Sequence, residues 1–569
     1  MRALATVLVA CATLAACSGV PRSSLPQVVR TVDGPGVTSA TATLRPEPGD
    51  DQRATVSKFL QAQVTNDKSH QAAKAFLSAS ASTKWQDNTV TVLDDYRVNY
   101  ANLNDVVVVS GRVIGTLDTN GIYTPTLTGS GLSSEKSFPF SLAQVAGQWR
   151  ITDPPSGVIV RQRDFATSFH PRMLSFFNQA ETKLVPDLRY SPLDGQSLAF
   201  WMLEQLIAGP QQQQQNALRN EFPDQIDPQR AKVTLSQPIA VQLPGLSQVD
   251  TPTVIRIAAE IGYSFGSFAS ALSIALFDGT RAIQASTGSV EFTAADFPQF
   301  DPVPATLPSL YYMRDGTVMN SQGAQINGKG ASQYALGSVA VAGSADSDLR
   351  LAGLTSQPNT LYVGTASAGL HPVPLAKAAT TRPEWVVAAV DEVWLGTGTS
   401  LVRVASDRVE AIPFASAGTD LSGRTVTSVR VSPEGARIAM VLTDPDGSGS
   451  VWVGSVVRSG GAVQVGGLRQ ITPRGWQVRD VSWAANGTAL RAIGSETDGP
   501  QIEIWSLNCD GSAPAEPNSD NLPALPDWIT ATTDGSTWVS VSNRIWREQS
   551  LGGWVNPFPA GTAPIYSVG

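Results

Sequence analysis

Two stretches of this chain carry residue types at spacings that elsewhere perform catalysis or hold a metal. Gly262-Tyr263-Ser264-Phe265-Gly266 fits, letter for letter, the G-x-S-x-G turn that presents a nucleophilic serine. Such a turn needs a buried strand before it, a helix after it, and an acid and a histidine downstream. His371 is the only histidine downstream, and its surroundings read as a different domain. Ser264 is therefore expected in a glycine-flexed loop or strand end. Asp444-Pro445-Asp446-Gly447-Ser448-Gly449 opens like a calcium loop, which closes with a bidentate glutamate at its twelfth position. Ser455 stands there instead, and Pro445 with Gly447 suits a tight turn between strands. The three histidines, His70, His170 and His371, are far apart, whereas imidazole metal sites usually want two or three together. No phosphate loop, paired-cysteine motif or dinucleotide fingerprint is spelled out, and no carboxylate pair stands out for acid–base work. The sequence assigns no catalytic residue, no metal ligand and no cofactor, and the chain is expected not to be an enzyme.

The residue with definite chemistry is a thiol. Met1 and Arg2 are followed by an apolar run from Ala3 to Ala16, the length of a signal-peptide core and short for a membrane span. The run ends Leu14-Ala15-Ala16-Cys17, followed by Ser18-Gly19, which resembles the bacterial lipobox. That resemblance implies that Cys17 takes a diacylglycerol, that cleavage falls between Ala16 and Cys17, and that the freed amine can be acylated in turn. Two or three acyl chains at one site anchor far better than a single chain. Of the other cysteines, Cys11 leaves with the signal and Cys509 has no partner, so the exported body must rely on its hydrophobic cores rather than on disulfides. The expected location is the cell membrane, lipid-anchored on its extracytoplasmic face.

A net charge of −8 leaves no basic footprint, so nucleic acid is not an expected partner. Charged residues make up only 15% of the 569, while glycine and proline number 49 and 38, the balance of a strand-rich, turn-rich protein. At this length three or four domains are expected.

The elements follow from periodicity. Residues 1–16 are the signal and 17–50 a lipidated, Pro- and Gly-punctuated tether. From 51 to 165, Val56, Phe59, Leu60 and Val64 recur at helical spacing before the period drops to two at Val90, Val92 and Tyr96-Val98-Tyr100. Helices, then a curved antiparallel sheet ending at Gln148-Trp149-Arg150-Ile151, resemble the cone-shaped nuclear-transport-factor-like α+β fold, whose expected role here is a spacer or docking module. From 166 to 305, Met173–Phe177 and Leu184–Tyr190 read as a hairpin. Ser197–Ile207 reads as a helix stopped by Gly209-Pro210, with Gln211–Gln215 as the solvated start of the next helix. Leu184-Val185-Pro186, Leu206-Ile207-Ala208-Gly209-Pro210 and Phe222-Pro223 resemble the GerMN α+β domain, a match that weakens after Pro223. From 306 to 569 a degenerate repeat of strand, polar-Gly turn and strand recurs. Its turn glycines Gly435, Gly487 and Gly535 are 52 and 48 residues apart, and ten of the thirteen tryptophans lie in this region. That period signals an all-β propeller of five blades, possibly six or seven. Tyr311-Tyr312-Met313 and Ile565-Tyr566 are placed to close the ring by sharing a blade.

Lipobox, cone-like domain, GerMN-like segment and propeller, in that order, resemble the actinobacterial LpqB lipoprotein family. The resemblance implies a non-enzymatic envelope protein that binds the extracellular domain of an Mtr-type sensor histidine kinase and modulates signalling in cell-wall homeostasis and division. Only Cys17 can be carried over from the family as a functional residue. The competing expectations are a small-molecule or lipid carrier using the cone cavity and, further off, a cell-wall-active enzyme.

Overall fold

The computed structural model describes residues 44–568 except 65–69, 102–104, 128–134, 270–271, 286–287, 304–307, 327–333, 344–347, 356–359, 387–391, 417–418, 474, 485–486, 497–502, 513–517, 533, 551 and 559. The lipobox residues Leu14, Ala15, Ala16 and Cys17 lie outside the described residues.

Asp51 starts the first helix, Gln52–Ala62, by accepting the Ala54 amide at 2.7 Å, which satisfies one of the donors a helix start leaves open. The helix buries Val56, Phe59 and Leu60 against a sheet ordered Gln148–Asp153, Glu135–Val145, Val106–Leu117, Val90–Tyr100 and Val158–Arg161. All neighbours are antiparallel except the last, where Val158 pairs in parallel with Val90. Phe59 meets Trp85 and Phe140 edge-on, with centroids 5.4 and 5.9 Å apart.

In the second domain the hairpin strands are His170–Asn178 and Leu184–Ser191, and every residue of the second strand is buried. Helix Gly195–Ala208 follows, ending at Gly209. Gln211–Gln215 does not start a helix: it forms consecutive turns, and Gln211 is buried because Asp187 accepts from both its backbone and its side chain. A second sheet runs Lys232–Thr234, Ile239–Gln242, Ile274–Asp278 and Arg281–Ile283, with Glu291–Phe292 also on Ile274–Asp278. Between its strands lies a 19-residue helix, Thr251–Ala269. The whole G-x-S-x-G stretch sits inside that helix, which replaces the expected loop or strand end. Its apolar neighbours Ile257, Ile261 and Phe265 sit at helical spacing and are buried in the domain core.

From Leu310 onward the described residues form six antiparallel sheets, each built in chain order from its inner strand outward except the first. That first sheet takes its inner strand from the far end of the domain: Thr562–Tyr566 pairs with Leu310–Arg314, with Tyr311 opposite Ile565. The inner strands Leu336–Ala342, Glu384–Val386, Thr425–Val431, Gln477–Ala484, Trp528–Ala531 and Thr562–Tyr566 contact one another in order around a closed ring. The repeat glycines Gly435, Gly487 and Gly535 have φ of +74°, +70° and +89°, a conformation that glycine adopts without the Cβ clash of other residues. Tryptophans fill the space between sheets: Trp394, Trp452 and Trp554 are at most 2% exposed.

Candidate functional site

The six inner strands enclose a channel whose middle is closed by charge. Asp480, buried on the inner strand Gln477–Ala484, accepts Arg382 Nη2 at 3.0 Å, Arg430 Nη2 at 2.9 Å and Ser428 Oγ at 2.7 Å. It also accepts the backbone amides of Val481 and Ile529 at 2.9 and 3.1 Å. Arg382 reaches on to the carbonyls of Ile529 and Pro564 and lies over the Trp528 ring, 4.9 Å from its centroid. One carboxylate thus joins four of the six sheets, Arg382 extends the network to a fifth through Pro564, and burying the carboxylate is tolerable because two guanidiniums and three further donors surround it.

This plug separates two cavities. At the N-terminal ends of the inner strands lies an open mouth of about 270 Å³, lined by Thr380, Arg382, Thr427, Arg479, Asp527 and Trp528 among others, with Arg479 and Asp527 exposed. At the opposite ends lies a chamber of about 210 Å³ between the propeller and the second domain. Val431, Trp483, Ile565 and Tyr566 form its apolar walls, Lys183, Pro302 and Pro308 come from the second domain and the segment after it, and Glu384 and Arg430 come from the plug side. Glu384 is 13% exposed, its Oε2 lies 3.8 Å from Arg430 Nη1, and that oxygen accepts no hydrogen bond from the described residues. Burial raises its carboxyl to about 8, with Arg382 pulling it down and Asp480 adding to the rise.

A second polar cluster welds the three domains. Arg189 donates to Asp187, to Gln205 Oε1 at 3.1 Å, to the Gly209 carbonyl at 3.0 Å and across to the Asn120 carbonyl of the first domain at 3.3 Å. Next to it, the Tyr190 amide donates to the Gly121 carbonyl at 2.8 Å and its hydroxyl meets Ser512 Oγ of the propeller at 2.7 Å. Asn178 donates to the Glu434 carbonyl, Ser455 to that of Gln213, and Arg469 to that of Tyr123.

The residues singled out by sequence do not meet. Ser264 is fully buried and accepts the Ser175 amide at 3.0 Å, a structural bond one helical turn from the buried Glu260, which accepts the Phe177 amide of the same strand. Asp444–Gly449 is a turn: Asp446 accepts the Ser448 amide and hydroxyl at 2.9 and 2.6 Å, and Arg424 bridges Asp444 at 2.8 Å. His70 pairs with Asp87 in the first domain and His371 with Asp407 on the propeller surface. Cys509 is buried, and burial pushes its thiol up to about 11, so it is a poor nucleophile. The channel residues Arg382, Glu384, Arg430 and Asp480 had no local signature. Arg430 and Asp480 sit on strands legible from the repeat, but what joins them is the ring closure.

Two family models match the chain: the N-terminal domain of lipoprotein LpqB over residues 45–166 and the lipoprotein LpqB β-propeller domain over residues 315–567, together more than half of it. The chain belongs to the LpqB lipoprotein family. The LpqB lipoprotein of Corynebacterium jeikeium is 26% identical over 94% of this chain and 93% of its own length. That of Mycolicibacterium smegmatis is 34% identical over 39% of this chain and 37% of its own. Among solved structures, TolB from Acinetobacter baumannii covers 46% of this chain and 68% of its own at 13% identity and a TM-score of 0.34. No helix among the described residues is long and apolar enough to cross a membrane.

Proposed function

We propose that this LpqB-family lipoprotein is a non-catalytic recognition module, held by a diacylglycerol on Cys17 at the extracytoplasmic face of the cell membrane. Its partner is the extracellular domain of an Mtr-type sensor histidine kinase, whose signalling in cell-wall homeostasis and division it modulates. The observation that carries a binding role is the division of labour in the propeller channel. The buried Arg382 and Arg430 gather around Asp480 and hold the sheets in register, while Arg479, Asp527 and Trp528 stand at an open mouth. A rigid face carrying polar loop residues around an aromatic ring is suited to protein recognition. The Arg189 junction and its neighbours tie the first domain, the second domain and the propeller together, so the three are presented to a partner as one unit. Tethering raises the effective concentration for a membrane partner, and modest affinity suffices.

The test is cross-linking in cells followed by kinase detection, for wild type, Cys17→Ala and the double charge reversal Arg479→Glu/Asp527→Arg. Kinase recovered with wild type, reduced by Cys17→Ala and lost with the double reversal, is the expected pattern. Absence of kinase from all three, with no binding between purified chain and kinase ectodomain, overturns the reading.

A further inference from the structure

We propose that the chamber between the propeller channel and the second domain binds a compact molecule with an apolar body and one carboxylate, held head-first against Arg430 and Glu384. This site is separate from the open mouth and does not depend on the kinase reading.

Three observations on the chamber converge. Its walls are mostly apolar, with Trp483 and Tyr566 offering aromatic surface, and it lies at a domain seam, where small-molecule sites concentrate. Its volume of about 210 Å³ has room for a bicyclic ring or a medium acyl chain rather than a peptide. Among the described residues its charged lining is one-sided: Lys183 and Arg430 are cations, and Glu384 is the single acid. Because burial lifts Glu384 to about 8, that acid is largely neutral near pH 7 and its proton is available to donate. The opposite charge of Asp480 lies behind the chamber and is already engaged by Arg382, Arg430 and Ser428.

A carboxylate head against the plug therefore meets a guanidinium and a carboxylic acid, and the Lys183 ammonium on the facing wall adds a second positive charge to the chamber. Its oxygens would give the Glu384 carboxyl the partner it lacks and add charge-assisted bonds to Arg430. An uncharged head would leave the excess positive charge uncompensated. A cationic head would add to it. Lys183 already donates to the Asp301 carbonyl at 2.9 Å, which fixes the ammonium at the chamber's second-domain side.

Two sources supply such a molecule, aromatic acids and short fatty acids, so the probes are 2-naphthoate and octanoate, each against its amide. Isothermal titration calorimetry is run on the full chain in nanodiscs, with empty nanodiscs subtracted. At least one acid is expected to bind saturably and about tenfold or more tighter than its amide, as a charge-assisted bond implies. In wild type the affinity falls between roughly pH 7 and pH 9 as Glu384 ionises and repels the ligand, while Glu384→Gln binds with little change over the same range. Lys183→Gln weakens the acid several-fold, and Arg479→Gln, at the opposite mouth, leaves it unchanged. No binding of either acid, equal binding of acid and amide, or loss of binding in Arg479→Gln overturns the proposal. A failed kinase interaction with intact acid binding overturns only the signalling role.

Discussion

Asp187 and Arg189, two residues apart on one strand, form a bidentate ion pair with both side chains at most 2% exposed: Nε meets Oδ1 at 2.9 Å and Nη2 meets Oδ2 at 3.1 Å. Residues two apart on a strand share a face, so the pair comes preformed by the pleat. Breaking such a pair strands a buried charge. Asp187→Ala is expected to cost about 3–5 kcal/mol, because Arg189 then lacks its counter-ion and Gln211 loses both bonds. Replacing both residues by leucine is expected to cost less than the single change. Denaturant midpoints followed by tryptophan fluorescence compare the two, and a double variant less stable than Asp187→Ala would contradict this account.

Gly121 is where the first domain touches the second. It sits at φ +74° in the Asp118–Ile122 turn, and a Cβ there would come within 2.5 Å of the Tyr190 carbonyl oxygen. Gly121→Ala is expected to push the domains apart, losing the Tyr190-to-Gly121 hydrogen bond and about 1–3 kcal/mol. The consequence beyond stability is loosened coupling, visible as faster limited proteolysis between the first and second domains. Unchanged proteolysis would show that the junction does not depend on this contact.

Much of the architecture was legible because burial imposes a period on the chain. Val56, Phe59 and Leu60 stand at helical spacing because they share the buried face of Gln52–Ala62, and the repeat turns kept their glycines because positive φ demands them. Gln211–Gln215 misled because a run of glutamines looks solvated, whereas Asp187, distant in sequence, gave Gln211 a buried partner. Ser264 misled in another way: glycines flanking a serine suggest a turn, yet Ile257, Ile261 and Phe265 impose the helix through tertiary burial. The channel was illegible for a plain reason. Arg382, just before the strand Glu384–Val386, and Arg430 and Asp480 on the next two inner strands lie about 50 residues apart, and only closure of the ring brings them within hydrogen-bonding distance.

The helical setting of Ser264 makes a chemical prediction. A fluorophosphonate probe should not label this serine in the folded chain, since the hydroxyl is fully buried. Ser264→Ala removes the acceptor for the buried Ser175 amide and should cost about 1–3 kcal/mol in thermal or chemical denaturation. Labelling of the native protein at residue 264 would refute the structural role.

Glu260 on the same helix predicts a pH dependence. It is fully buried, one oxygen accepts the Phe177 amide at 3.4 Å, and the other has no partner. Burial holds its carboxyl well above the ordinary value of 4.5, Glu221 adds to the rise and Arg256 opposes it. In the unfolded chain the group ionises near 4.5, while the folded chain keeps the proton. Above that pH the native state binds more protons than the unfolded one, so this group makes stability fall as pH rises. Glu260→Gln should therefore gain on wild type as pH climbs from about 4.5 toward alkaline values, and show its smallest relative benefit in acid. Melting temperatures across that range decide it, and parallel curves for the two proteins would contradict the assignment.

Closure of the propeller gives the last prediction. Thr562–Tyr566 supplies the inner strand of a sheet whose other strands were made some 250 residues earlier, with Leu310 opposite Tyr566 and the Ser567 hydroxyl accepting the Ser309 amide at 3.1 Å. Ala563 and Ile565 are buried in the cluster that also holds Tyr311, Met313 and Val339, so the strand links the first sheet to the second. Ile565→Ala should cost about 2–5 kcal/mol by leaving a cavity at that seam. Deleting residues 562–569 should do far more. It removes the buried strand, exposes the edge of Leu310–Arg314, and takes away the Pro564 carbonyl that Arg382 uses, so the plug loosens together with the ring. The near-ultraviolet circular dichroism of the truncated chain should then lose its tryptophan bands, most of which arise in the propeller, while the melting signal of the first two domains persists. A truncated chain that keeps those bands would mean that the ring holds without its closing strand.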